Sequence, residues 1–170
     1  MFYHILNYSI EGVTKMSELI IKQFARTRQT LTKTLEGVAE ESVKMVPKGF
    51  NNNILWQVGH ILTTGELFLF KGQRNIPANY RELFGPGSSP AIWSTDVPSL
   101  ETLLAQLQEQ ADRIQKINVE GFAELLEKPF IGNNTVGELA AMGAFHEALH
   151  VGQIQMLNRL VETSEVKASI

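Results

Sequence analysis

Apolar residues recur at three- to four-residue intervals along most of this chain, and strict alternation is almost absent. From about Thr14 to Val38, the residues Met16, Ile20, Phe24, Leu31, Leu35 and Val38 form one stripe. Thr27 fills the gap, and Lys, Arg and Gln occupy the other faces. That period predicts an amphipathic helix. Pro47 and Gly49 end the segment. Asn51, Asn52 and Asn53 offer N-cap side chains for a second helix, Ile54 to about Lys71. Pro98-Ser99 opens a third, roughly Leu100 to Ile117, with Leu100, Leu103, Leu104, Leu107, Ala111 and Ile114 on one side. Thr135-Val136-Gly137-Glu138 has the capping-box form. It starts a fourth helix that the pattern carries to about Val161.

Between these segments the pattern breaks. Met1 to Glu11 is short and aromatic, and is expected as an extended lead-in packed on the body or on a second subunit. Gly72 to Pro98 holds Pro77, Gly85-Pro86-Gly87, Ser88-Ser89-Pro90 and Pro98. A connection this long is often functional. Its Tyr80, Phe84 and Trp93 are poor linker residues, so a lid or ordered packing is expected. Gly121 to Gly132 reads as a connection with a helical turn near Ala123–Glu127. With no convincing strand pair, the expectation is an all-α four-helix bundle, a single domain over residues 1–170.

Composition narrows the function. A chain of 170 residues is long enough to bury a proper core. A net charge of −3 with no basic stripe argues against nucleic-acid binding. No apolar run approaches the ~20 residues of a membrane span. The first 15 residues lack a signal peptide's basic, apolar and small-residue regions. The absence of cysteine excludes a disulfide framework, a thiolate metal site and a cysteine nucleophile. A cytoplasmic protein is expected.

The candidate chemistry lies in three of the four histidines. His146 and His150 stand one turn apart on one face of the fourth helix. Taking about 100° per residue, Leu139, Met142, Gln153 and Leu157 fall within about 40° of His146. The pair is thus expected amid the apolar face. On the second helix His60 shares its stripe with Trp56, Thr64 and Leu67, and Gln57 and Thr63 flank it. Polar neighbours beside a buried histidine suggest a cavity. Each imidazole could equally be a core histidine with one satisfied hydrogen bond, as could His4 on the surface. Together, three inward imidazoles with an open position match a catalytic zinc site, and nickel, iron or cobalt would also accept them. Trp56, Gln57, Thr64, Glu147 and Gln153 are the candidate pocket or orienting residues.

His146-Glu147-Ala148-Leu149-His150 also spells the H-E-x-x-H pattern of zinc proteases, with Glu147 as general base. Against that reading, no further His follows and no strand-rich half is expected to hold a peptide. A ligand from Glu162 or Glu165 would lie near the end of the helix.

Trp56-Gln57-Val58-Gly59-His60-Ile61 and His146-Glu147-Ala148-Leu149-His150-Val151-Gly152-Gln153-Ile154 resemble the paired motifs of the DinB/YfiT-like superfamily. The resemblance implies a four-helix bundle, a homodimer, and a divalent-metal site at His60, His146 and His150, with zinc or nickel the expected ion. It implies enzymes such as transferases that use a low-molecular-weight thiol of the bacillithiol, mycothiol or glutathione type as co-substrate. The leading expectation is such a thiol transferase acting on a small molecule, with Glu147 a possible base. The alternatives are a metal-dependent hydrolase and a non-catalytic metal- or ligand-binding dimer.

Overall fold

Four long helices carry the apolar stripes: α1 (Phe2–Leu35), α3 (Ile54–Leu69), α5 (Leu100–Ile114) and α6 (Val136–Ala168). Two short ones, α2 (Glu40–Lys44) and α4 (Tyr80–Phe84), lie in the connections. The computed structural model describes residues 2–70, 73–94 and 96–168. Side chains of residues 2–11 lie outside those described, His4 among them. The aromatic lead-in is helical from Phe2 onward rather than extended.

Local chemistry sets the helix starts. The Asn53 side chain accepts from the Trp56 N–H at 2.8 Å and donates to the Lys44 carbonyl at 2.9 Å, so one residue caps α3 and ties α2 to it. Ser99 caps α5 through the Thr102 N–H. At α6 the capping box closes both ways: the Glu138 N–H donates to Thr135 Oγ1, and the Glu138 carboxylate accepts from the Thr135 and Asn134 N–H groups. Each such cap is worth about 1 kcal/mol.

Around the bundle the helices follow the order α1, α6, α3, α5. The side-chain contacts set their directions. Phe24 and Arg28 meet Gly143 and Glu147 in step, so α1 and α6 run parallel. Gln57 and His60 meet His150 and His146, so α3 opposes α6. Leu62 and Glu66 meet Gln110 and Arg113, so α3 and α5 are parallel. Two consecutive parallel helices force the chain to travel back along the bundle between them. Among the described residues of that return, 73–94 and 96–99, lie α4 and a 3-10 turn at Pro90–Ile92. Its α4 is packed into the body: Tyr80, Leu83 and Phe84 are buried in the main core with Leu55, Val58 and Ile61. With α2, α4, α5 and α6 around it, every residue of α3 from Ile54 to Leu62 is buried.

One expectation is corrected outside the bundle. The segment before α6 is a 3-10 turn at Val119–Ala123 followed by an antiparallel hairpin, β1 (Leu125–Phe130) and β2 (Asn133–Thr135). The two-residue turn has positive φ at both positions, 49° at Ile131 and 76° at Gly132. Glycine suits that conformation; a β-branched residue is strained there. Ile131 is also 63 % exposed, so it gains little from burial. Ile131→Asn is therefore expected to stabilise the protein by about 1 kcal/mol. Chemical denaturation reads this directly, and a lower midpoint for the variant would contradict it.

Candidate metal centre

The imidazoles of His60, His146 and His150 meet where α3 crosses α6. His146 Nε2 lies 3.2 Å from His150 Nε2 and 3.4 Å from His60 Nε2. One nitrogen from each ring falls within 4.8 Å of the others. Three nitrogens bound tetrahedrally at ~2.1 Å sit about 3.4 Å apart, so the observed spacing fits a single ion.

The outer partners decide which nitrogens face inward. His60 Nδ1 is 2.6 Å from the Phe84 carbonyl oxygen. A carbonyl only accepts, so Nδ1 carries the proton and Nε2 turns its lone pair to the centre. His150 Nδ1 likewise donates to Gln57 Oε1 at 2.5 Å. Lone pairs aimed at one point repel each other unless a cation lies between them. The donor set therefore fits a divalent ion.

The remaining expected residues divide. Trp56 stacks on His60, with ring centroids 4.6 Å apart and planes 12° from parallel, and its Nε1 donates to Ser88 Oγ. Phe68 meets the His146 ring edge-on. Thr64 is buried but its hydroxyl donates to the His60 backbone carbonyl, not to a ring. Gln153 is exposed on α6 and is a hydrogen-bond neighbour of His150.

Glu147 is engaged elsewhere. Its carboxylate accepts from Arg28 Nε and Nη2 at 2.8 Å each, together with the Thr27 hydroxyl. Arg28 continues to Gln110 Oε1 and the Leu107 carbonyl. Both residues are buried. This pairing takes up both carboxylate oxygens on the core side of α6, and leaves no evident place for Glu147 as a base at the histidines. Arg28, expected on an outer face of α1, stands one turn from Phe24 on its inner stripe. That position, an arginine among core residues, was the available signal of a buried partner. Among the described residues, the metal-capable group consists of the three histidines without a carboxylate.

The histidines also sit differently on α6 than expected. The core side is formed by Ala144, Glu147, Val151 and Ile154. Phe145, Leu149 and Met156 form a second apolar stripe that is exposed. His146 and His150 lie at the border between the two, each half-buried, and this keeps the centre reachable from solvent.

Burial depresses all three basicities. Desolvation lowers the His60 and His146 pKa values. For His150, desolvation and then the two neighbouring rings push the value down to about 3. The unfolded chain, with histidines near 6.5, binds more protons than the folded one below that pH. Stability of the metal-free protein is therefore expected to fall as pH drops from about 6.5 toward 3. Thermal unfolding at pH 7.5 and 5.0 tests the sign; a higher melting temperature at pH 5.0 would refute it.

Comparisons with known proteins bear on the fold and the family. A crystal structure titled as the conserved protein of locus from Enterococcus faecalis superposes with a TM-score of 0.64. The match covers 86 % of this chain and 97 % of that one at 15 % identity, a likeness of fold. No curated protein matches the chain. The sequence model of the DinB superfamily matches residues 23–154, a span that takes in all three histidines, the whole of α3, and α6 as far as Ile154. The chain belongs to the DinB superfamily.

Proposed function

We propose that this protein is a metal-dependent transferase that activates a small thiol, with zinc or nickel held by His60, His146 and His150. The observation that carries the reading is the donor set: among the described residues, three ring nitrogens, those of His60 and His150 turned inward by their outer partners, meet at a solvent-reachable point without a carboxylate in the group. When bound, a divalent ion there supplies positive charge and a vacant position at which a thiol gives up its proton. A thiol needs little further help, because its pKa of about 8.5 starts far below water's ~15.7. Hydrolysis usually asks for a base, and Glu147 is tied to Arg28. The chain has no cysteine, so the thiol comes from outside. Bacillithiol-type thiols are the class proposed. In the transfer, sulfur bonds to an electrophilic carbon. The leaving group departs with its electron pair, and the thiol proton passes to solvent.

The chain's own residues orient the donors. Phe84 and Gln57 fix two rings, and Trp56 covers the face of His60. Metal analysis of the purified protein, with an assay of thiol conjugation to an electrophile, tests the reading. Metal-dependent consumption of both reactants supports it. Ester or amide cleavage without thiol would assign hydrolysis, and a loaded site with no turnover would assign a binding role.

A homodimer is part of the proposal. The apolar surface at the end of α3 is used within the chain: Phe68 is buried, and Phe70 lies under the Arg113 guanidinium. Exposed apolar side chains occur instead on α6 at Phe145, Leu149 and Met156, and on α1 at Met16 and Leu19. Among the described residues no helix is long and apolar enough to cross a membrane. We place the second subunit on that face, beside the metal centre, and the protein in the cytoplasm. Leu149→Glu is expected to halve the sedimenting mass; an unchanged mass would move the interface elsewhere.

A further inference from the structure

A cavity of about 300 Å³ runs along α3 from Thr63 and Thr64, one turn beyond His60. Leu67, Ile76, Pro77 and Phe130 give it apolar walls. Two arginines line it: Arg81 of α4 and Arg74 of the return segment. Arg74 and Phe130 also line a neighbouring cavity of about 640 Å³, where Glu127 and Lys128 are the other charged residues.

The cavity connects to the metal centre through neighbouring residues on two sides. Phe84, whose carbonyl holds His60, lies three residues past Arg81 on the same short helix. Phe130 touches Phe68, and Phe68 touches the His146 ring.

Arg74 and Arg81 are exposed at the mouth of the cavity, unlike the buried Arg28 and the half-buried Arg113. Arg28 is held by a carboxylate, an amide and a carbonyl; Arg113 is held by Glu66 and the Gln73 carbonyl. Among the described residues, the side chains of Arg74 and Arg81 make no hydrogen bond or ion pair. Two free guanidiniums over an apolar slot suit an oxyanion with a hydrocarbon body, because arginine takes carboxylate and phosphate oxygens in pairs.

We propose that Arg74 and Arg81 form an oxyanion subsite beside the metal centre. The small molecule that reaches the metal carries a carboxylate or phosphate, joined to its reacting end by a short apolar stretch. This deepens the metal-enzyme reading and rests on it for the location of the reacting end, but the anion contacts themselves require no metal.

The test is calorimetric titration of the full-length protein, metal-free and zinc-loaded, with three probes of one shape. These are 4-phenylbutyrate, 3-phenylpropyl phosphate and neutral 4-phenylbutanol. The anions are expected to bind at least about tenfold tighter than the alcohol in both forms, since charge-assisted hydrogen bonds are the strong ones. The preference should shrink with added salt. Tighter binding of the butyrate assigns a carboxylate, and of the phosphate a phosphoryl group. Arg74→Ala and Arg81→Ala should each cut the preference, and the double variant should abolish it at an unchanged melting temperature. Lys48→Ala, exposed and outside both cavities, should leave it intact. Equal binding of alcohol and anions, a preference that survives the double variant, or an equal loss in Lys48→Ala would overturn the subsite. His146→Ala separates the two readings. Lost metal with retained anion preference supports the subsite on its own footing. A wild type that binds the anions but takes up no metal removes the metal reading and leaves the subsite standing.

Discussion

Purified His146→Ala is expected to take up no zinc or nickel at concentrations that saturate the wild-type protein. His146 Nε2 is the middle donor, 3.2 and 3.4 Å from the other two. Without it the site is a two-nitrogen site. Removing an outer partner typically weakens metal binding about 10–100-fold; removing a ligand should exceed that. Gln57→Ala, which frees only the His150 ring, is expected inside the 10–100-fold range and gives the internal scale. Stability provides a second readout. Metal at a hundred times its dissociation constant stabilises the folded state by about 2.7 kcal/mol. For a chain of this size that raises the melting temperature by roughly 5–10 °C. His146→Ala should lose the whole shift and still fold, because the apolar stripes are untouched, and His4→Ala should lose none. Full metal occupancy in His146→Ala would rule out the three-histidine site.

The second large effect lies off the metal. Arg28→Ala is expected to destabilise the protein by about 3–5 kcal/mol, because it leaves the Glu147 carboxylate buried and unpaired. Glu147→Ala should cost a similar amount by stranding Arg28. The joint replacement Arg28→Met with Glu147→Leu should recover most of the loss, because the desolvation of both charges disappears with the pair. Gln110 and the Leu107 carbonyl would still lack their partner, so recovery stops short of complete. Urea denaturation measures all four proteins. A cost below about 1 kcal/mol for Arg28→Ala would mean that Glu147 is not dependent on it, and would return that carboxylate to consideration as a base.

These two sites mark what the sequence makes legible. Spacing places His60, His146 and His150 on helix faces, and two outer groups, Gln57 and Trp56, follow from the same angles. Thr135 and Glu138 are readable because a capping box is local. A helical wheel gives direction around one axis, but it does not say which neighbour occupies that direction. Apolar residues on both sides of α6 shift its apparent centre toward the histidines. The true core side, at Glu147, Val151 and Ile154, then looks like a flank. The hairpin was hidden for a different reason. β1 contains Pro129, β2 has three residues, and the turn is Ile-Gly where an Asn-Gly pair would have signalled it. Arg74 and Arg81 carry no local signature, since the return segment alone brings them to α3.

The Phe84 carbonyl has a consequence for how this site changes over time. A backbone oxygen has no codon of its own. Any residue at position 84 presents the same acceptor to His60, so replacements there report on packing and are blind to the tautomer. Control passes to Gly59, on the turn of α3 just before His60. A β-carbon at Gly59 would collide with the Phe84 ring and push α4 outward. The genetic handle on the proton of His60 is therefore a residue with no side chain, and a search for polar positions would pass over it.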